Sequence, residues 1–340
     1  MIKPKMNKSR LFSLVKILIS IGLGVYLTWY IFDNMSKNEI DIFKNAILDS
    51  NPWLIALSLA LAFVTYLSRA YRWKYTLHPL GYQSSFKNQY HSLMVGYLVN
   101  MTIPRAGEFT RAIMLKRSDN IPVAGSFGTI VTERIIDMLI LLGIAFGTVF
   151  LNQLEASAIM LNLKKSFLGE DTTQDSHFTL WTCTVIALIL IVLIANKKFR
   201  HKFLSFLHSL KEGVLSIFRM KNLSAYIFHT LIIWGAYLIM FALPFWAIEE
   251  TSNVPVSGML LAFIFGAIGI SFTNGGMGAY PLLIGITAAY YLNEMGISNS
   301  LAIGNALGMV IWATQTIFLI LLGLISLVLM PKKYATDDKS

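Results

Sequence analysis

The chain has 340 residues, 55% of them apolar and only 14% charged, with a mean hydropathy of +0.61. An ordinary soluble domain does not need that composition, so the chain reads as an all-α polytopic membrane protein. Its formal net charge of +10 would suit nucleic acid, but membrane proteins collect Lys and Arg in cytoplasmic loops, so no nucleic-acid partner is expected.

Residues 1–10 form a basic N-terminus placed in the cytoplasm. The apolar run at 11–32 that follows is too long for a signal peptide and has no small-x-small cleavage site, so it reads as an uncleaved first span. Residues 38–48 (NEIDIFKNAIL) have the pattern of a short amphipathic helix outside the membrane. Further runs at 52–71, 123–151, 178–195, 223–247 and 300–330 approach or exceed the roughly 20 residues needed to cross a hydrocarbon core.

Two regions differ from these spans. Residues 88–103 make a short apolar run stopped by Pro104, and residues 256–293 make two runs split by TNGGMGAYP at 273–281. Read as re-entrant hairpins, at about 86–117 and 256–293, they leave six full spans with both termini cytoplasmic. All of the 28 Lys and Arg residues then fall on inner segments except Lys37, Lys44, Lys164, Lys165 and the intramembrane Arg134. The alternative, eight full spans, would export Arg105, Arg111, Lys116 and Arg117 and fits the charge bias worse. The hairpins are expected to enter from opposite faces, and paired interrupted segments point to a transporter's substrate site. No residue-level repeat links the two halves.

Within the runs, Gly143/Gly147 and Gly304/Gly308 are small-xxx-small pairs that suit close helix packing. Residues 197–221 put Phe199, Phe203, Phe206, Leu210, Val214 and Ile217 on one stripe with basic residues elsewhere. That suits a cytoplasmic helix on an anionic leaflet, or a connector shielding span ends. The lone cysteine, Cys183, excludes an intrachain disulfide and a multi-cysteine metal site.

The charged residues are the strongest functional signal. Glu133, Arg134 and Asp137 lie inside GTIVTERIIDMLILLGIAFG, a run long enough to span. With a helix starting near Pro122, capped by Ser118 or Asp119, Glu133 is roughly 16 Å along and Asp137 roughly 22 Å. Glu133 and Asp137 share a face, and Arg134 can reach Asp137 at i, i+3. An unpaired charge at the bilayer centre costs on the order of 3 kcal/mol, so all three must face protein or water and have partners. A self-satisfied cluster pinning helices and a polar site within the membrane both answer that need.

The stretch NMTIPRAGEFTRA at 100–112 supplies the complement. Pro104 ends the rising limb of the first hairpin and Gly107 is expected to make the tight turn. Arg105, Glu108 and Arg111, spaced by three, line one face of a helical returning limb whose N-terminus points toward anything held at the tip. Guanidinium forks match phosphate oxygens. Ordinary positive-inside charge is the other reading, and it is the preferred one for Lys116 and Arg117.

IPRAGEFTRA, then TIVTERIIDML about twenty residues on, and the late TNGGMGAYP turn resemble the lysylphosphatidylglycerol synthetase transmembrane-region family over about 11–330. The family's P-x-x-G-E-x-x-R pattern falls on Pro104, Gly107, Glu108 and Arg111. Its E-R-x-x-D pattern falls on Glu133, Arg134 and Asp137, and its glycine turn on Gly275, Gly276 and Gly278. Many members carry an acid three positions after the last glycine, where this chain has Pro281. The chain ends at MPKKYATDDKS, a cytoplasmic tail at 331–340, with no synthase domain. The resemblance implies a single flippase-like domain at 11–330, in a stand-alone member that cannot itself aminoacylate a lipid.

The expected function is therefore a plasma-membrane translocase for a phosphate-bearing or polyprenyl-phosphate-linked lipid, not an enzyme, with no nucleotide-binding motif and no cofactor. Substrate would meet Arg105, Glu108, Arg111, Glu133, Arg134 and Asp137. Pro104, Gly107, Asn274, Gly275, Gly276, Gly278 and Pro281 would shape the hairpins. Membrane lipids are the expected partners, with a separately encoded lipid-modifying enzyme as a further one. The alternatives are a non-catalytic partner of such a synthase or glycosyltransferase, or an intramembrane enzyme. Against an enzyme, His201 and His208 lie two turns apart, His78 and His91 have no evident Ser or Cys partner, and the adjacent Glu249 and Glu250 diverge. No HExxH or Gly-x-Ser-x-Gly motif, and no metal site, is present.

Overall fold

A computed structural model of the protein describes residues 8–103, 105–168 and 222–330. Among these the regular structure is helical, with no strand. The helices are α1 (Lys8–Asp33), α2 (Lys37–Leu48), α3 (Pro52–Leu77), α4 (Phe86–Thr102), α5 (Ala106–Asp119), α6 (Val123–Leu151), α7 (Gln153–Leu168), α8 (Leu223–Ala247), α9 (Val256–Phe272), α10 (Ala279–Glu294) and α11 (Ser300–Leu329).

Among the described residues four segments are long and apolar enough to cross a membrane: Pro52–Leu80, Val123–Leu151, Leu223–Ala247 and Ser300–Leu329. The predicted first span falls within α1, a helix of 26 residues. The predicted span at 178–195 and the amphipathic stretch at 197–221 lie outside the described residues, as does Pro104. The outer amphipathic stretch is the helix α2, held by a capping box between Ser36 and Glu39 and buried along Phe43 and Ala46.

The two short regions are hairpins of paired helices, α4–α5 and α9–α10. The rising limbs α4 and α9 have 17 residues each, about 26 Å at 1.5 Å per residue and short for a full crossing. Helix α3 shows that they start from opposite ends of the bundle. The start of α4 lies at the late end of α3, where Tyr71 stacks on Phe86 with centroids 4.2 Å apart. The chain enters α9 just after α8, whose last carbonyl, on Ala247, accepts a 2.7 Å hydrogen bond from the Asn51 N–H at the beginning of α3.

The hairpins meet tip to tip. Asn274 Nδ2 donates to the carbonyls of Met101 at 3.0 Å and Thr102 at 2.9 Å, and Trp312 Nε1 of α11 donates to the Gly275 carbonyl at 2.9 Å. These bonds satisfy non-helical backbone deep in the bundle, as an apolar setting requires. Gly275, Gly276 and Gly278 have φ of 62°, 76° and 72°, so the expected glycine turn is present. Pro281 lies in the first turn of α10, where its carbonyl faces Gly308 of α11; Gly304 packs in the same way on Gly285. The Gly304/Gly308 pair is thus a helix contact. No described atom lies within 4 Å of a Cβ placed on Gly143 or Gly147.

The tip and base of the first hairpin correct two expectations. Gly107 does not make the turn. Arg105 does, with φ of 65°, and Gly107 lies inside α5. What Gly107 provides is close approach: a Cβ there would strike the Gly96 carbonyl and the Asn100 side chain, and its N–H donates to Asn100 Oδ1 at 2.7 Å. Neither Ser118 nor Asp119 caps α6, which starts after Pro122 without a side-chain cap. Asp119 closes the hairpin base instead, accepting 2.8 Å bonds from Ser84 Oγ and Asn88 Nδ2.

Candidate functional site

The charged residues converge where α3, α5, α6 and α8 meet, beside the first hairpin. Glu133 is 1% exposed and Arg111 4%, so their contact is judged in a desolvated setting. Arg111 Nη1 donates to Glu133 Oε2 at 3.0 Å, and its guanidinium lies 3.6 Å from the Trp73 ring centroid. That cation–π contact stabilises the charge further and fixes the guanidinium plane. Trp73 is itself fixed by its Nε1–H, which donates to Thr129 Oγ1 at 2.9 Å.

One turn along α6, Asp137 meets two arginines of α3. Arg69 Nη1 donates to Oδ2 at 2.7 Å, while Arg72 donates through Nη1 to Oδ1 at 2.9 Å and through Nη2 to Oδ2 at 3.0 Å. Arg69 Nε also donates to the Tyr237 hydroxyl at 3.0 Å. Arg72 also donates to Thr230 Oγ1 at 3.3 Å. The triad therefore ties α3, α6 and α8 together through bidentate and shared hydrogen bonds, the geometry that makes a buried ion pair tolerable.

The third contact is more open. Arg134 Nη2 lies 3.1 Å from Glu108 Oε1, with the two side chains 41% and 23% exposed. Arg134 was expected to pair with Asp137 on its own helix. It turns instead to the returning limb of the hairpin, because both carboxylate oxygens of Asp137 are occupied by α3.

Of the expected binding residues, the structure brings together Glu108, Arg111, Glu133, Arg134 and Asp137. Arg105 is exposed at the tip and joins none of these ion pairs, so the anticipated single face of Arg105, Glu108 and Arg111 is not one constellation. Arg69, Arg72 and Trp73 were missed: the two arginines counted only as positive-inside charge, and Trp73, beyond the apolar run 52–71, was not singled out. The signal was present in RAYRWK: Arg69 and Arg72 are i, i+3, and Arg69 and Trp73 are i, i+4, on a helix whose neighbouring Thr65, Tyr66 and Ser68 are buried. His91 also has a partner, Ser326 Oγ at 3.0 Å from Nδ1, contrary to the expectation that none was near.

The cluster is not closed electrostatically. It holds four arginines against three carboxylates, an excess of one positive charge. Among the described residues Arg111 Nε and Nη2, Arg72 Nε and Glu133 Oε1 are buried without a hydrogen-bond partner. Nε and Nη2 share one edge of a guanidinium, the edge that meets two oxygens of a phosphate or carboxylate side-on. The space beside it, lined by Tyr97, Asn100, Glu108, Arg111 and Arg134 among others, is about 10 Å³, room for roughly one water. Among the described residues no three His, Cys, Asp or Glu side chains converge as a metal site.

A sequence model of the lysylphosphatidylglycerol synthase transmembrane region matches residues 14–323. The chain belongs to that family. It is a multi-pass membrane protein on the joint evidence of family and helix lengths. Among curated relatives, a UPF0104 membrane protein of Methanocaldococcus jannaschii is 25% identical over 206 residues, covering 54% of this chain and 58% of that protein. The glycosyltransferase AglD of Haloferax volcanii is 30% identical over 98 residues, 28% of this chain and 16% of that protein. The chain thus covers less than two thirds of either relative. No solved structure matches it.

Proposed function

We propose that this family member translocates a lipid with an anionic, phosphate-bearing headgroup between leaflets of the plasma membrane, with both termini cytoplasmic. The observation that carries the reading is the incompletely paired Arg111, 3.6 Å from the Trp73 ring centroid and lining one small space with Asn100, the residue before Met101 at the first hairpin's tip. A buried cationic edge with free donors and a net positive surrounding is suited to an anion. An anion held there would lie within the bundle, one residue along α4 from Met101, whose carbonyl meets the second hairpin.

Arg111 and Arg134 would meet phosphate, Glu108 would exchange its bond to Arg134 as substrate enters, and Glu133 would orient Arg111. Asp137 would offset one of the two charges of Arg69 and Arg72. Arg105, at the exposed tip, would make first contact. In the present arrangement the space of about 10 Å³ excludes a phosphate, so the structure corresponds to a closed state in this scheme. The partial match to a chain named a glycosyltransferase adds a lipid-linked glycosyl carrier to the phospholipids as a substrate class. A second reading, a non-catalytic partner of a separate lipid-modifying enzyme, is favoured by the Asp137 triad, whose two carboxylate oxygens are both bonded by arginines of α3 without a substrate.

The test is transfer of headgroup-labelled phosphatidylglycerol and phosphatidylcholine in liposomes containing the purified protein. Faster transfer of the anionic lipid, abolished in Arg111→Gln, supports the translocase. Transfer no faster than in protein-free liposomes, for both lipids, removes it.

A further inference from the structure

We propose that a second cavity, at the hairpin junction, seats the hydrocarbon chain of the lipid whose headgroup meets Arg111; this rests on the translocase reading. The cavity has a volume of about 220 Å³ and is lined by Met101 and Gly275 from the two tips, Tyr66, Met240, Ile311 and Leu319, with further residues of α10 and α11. For scale, an engineered apolar cavity of about 150 Å³ holds a benzene, so a stretch of chain fits here.

Its chemistry is that of a chain seat. The lining is mainly apolar, and the Trp312 N–H is already taken by the Gly275 carbonyl. Gln315 Nε2 is taken by Ser58 Oγ at 3.1 Å, while Gln315 Oε1 is buried without a partner. Ile270 in the lining is 52% exposed among the described residues, so a chain entering from the hydrocarbon would pass it in this scheme.

Its position connects it to the charged cluster. Tyr66 lines this cavity and Tyr97 lines the small polar one, and their ring centroids are 5.8 Å apart at 60°. Arg69 lies three residues beyond Tyr66 on α3, already bonded to Asp137. One pair of rings therefore lies between a cationic compartment and an apolar one. A headgroup in the first places its own chain within reach of the second, and an amphiphile matches that division where a water-soluble anion does not.

The test uses phosphatidylcholine vesicles doped with phosphatidylglycerol carrying a diazirine on its acyl chain. Photolabelling is mapped by peptide and transport is measured in the same vesicles. The expected result is label on Tyr66 and Ile311, both buried, as well as on the lipid-facing Ile317 and Leu321. Thr316→Trp, which fills the cavity, should lower label on Tyr66 and Ile311 at least tenfold, leave Ile317 and Leu321 unchanged, and slow transport. Leu319→Trp gives the same readout should the first variant not fold. Gln315→Leu should keep the label, since a chain does not need the amide; its loss would mean a polar occupant and overturn the proposal. Label confined to Ile317 and Leu321 in the unsubstituted protein also overturns it, as does wild-type transport in the filled variant, which leaves the translocase intact. Label on Tyr66 and Ile311 without any transport has the reverse meaning: the chain seat stands and the translocase reading fails.

Discussion

Glu133 and Asp137 lie one turn apart on α6 and are both buried, yet they meet opposite arrangements. Asp137 accepts three hydrogen bonds from two arginines of α3, a full-length helix. Glu133 accepts one from Arg111 on the 14-residue returning limb of a hairpin and keeps Oε1 without a partner. In the translocase proposed above, the first is a fastening and the second an orienting contact: Asp137 has both oxygens bonded, although Arg72 Nε beside it has no partner among the described residues, whereas Glu133 holds Arg111 through one oxygen.

Substitutions should divide along the same line. Asp137→Asn should have the largest effect on stability, about 3–5 kcal/mol, because it leaves two buried guanidiniums without their anion. Loss of monodisperse protein in detergent, or a large fall in unfolding temperature, checks it. Glu133→Gln retains an acceptor for Arg111 and the Trp73 contact, so its cost should be about 1–3 kcal/mol, with headgroup-dependent lipid transfer lost. Equal destabilisation by the two substitutions in thermal unfolding would erase the proposed distinction.

Gly107→Ala probes the footing of the orienting contact. Its methyl would meet the Gly96 carbonyl, and forcing α4 and α5 apart should cost about 1–3 kcal/mol and lower transfer. The same change at Gly143, where no described atom lies within 4 Å of the added methyl, should leave both unchanged. Asn274→Ala removes two bonds between the tips and should cost about 1–2 kcal/mol, read out as faster hydrogen exchange at the α4 and α9 ends. Arg134→Gln should have the smallest effect on stability, under about 1 kcal/mol, because its pairing with Glu108 is half-exposed. Its effect on transfer of anionic lipid should nevertheless exceed that on zwitterionic lipid.

Much of this arrangement was legible in the residues. An acid, a base and an acid within five positions of an apolar run cannot be left unpaired in a bilayer, so partners had to exist. The Gly275, Gly276 and Gly278 turn followed from backbone conformations that other residues rarely adopt. The turn at the first tip was misassigned because Gly107 offered the same argument, but that glycine is required by the approach of α4 rather than by its own φ. Arg69 and Arg72 were hidden because a basic pair at the end of a span satisfies the positive-inside bias whether it faces the cytoplasm or folds back into the bundle.

Composition and run lengths determined by themselves that the chain is helical, membrane-spanning and interrupted in two places, because the cost of exposing backbone and charge to hydrocarbon acts on every segment independently of its neighbours. Which arginine neutralises which carboxylate, that the hairpin tips touch through Asn274, and that two cavities lie on either side of Tyr66 and Tyr97 were decided only in three dimensions. Those features depend on the rotation and height of one helix against another, set by packing among residues far apart in the chain, and no local spacing records them.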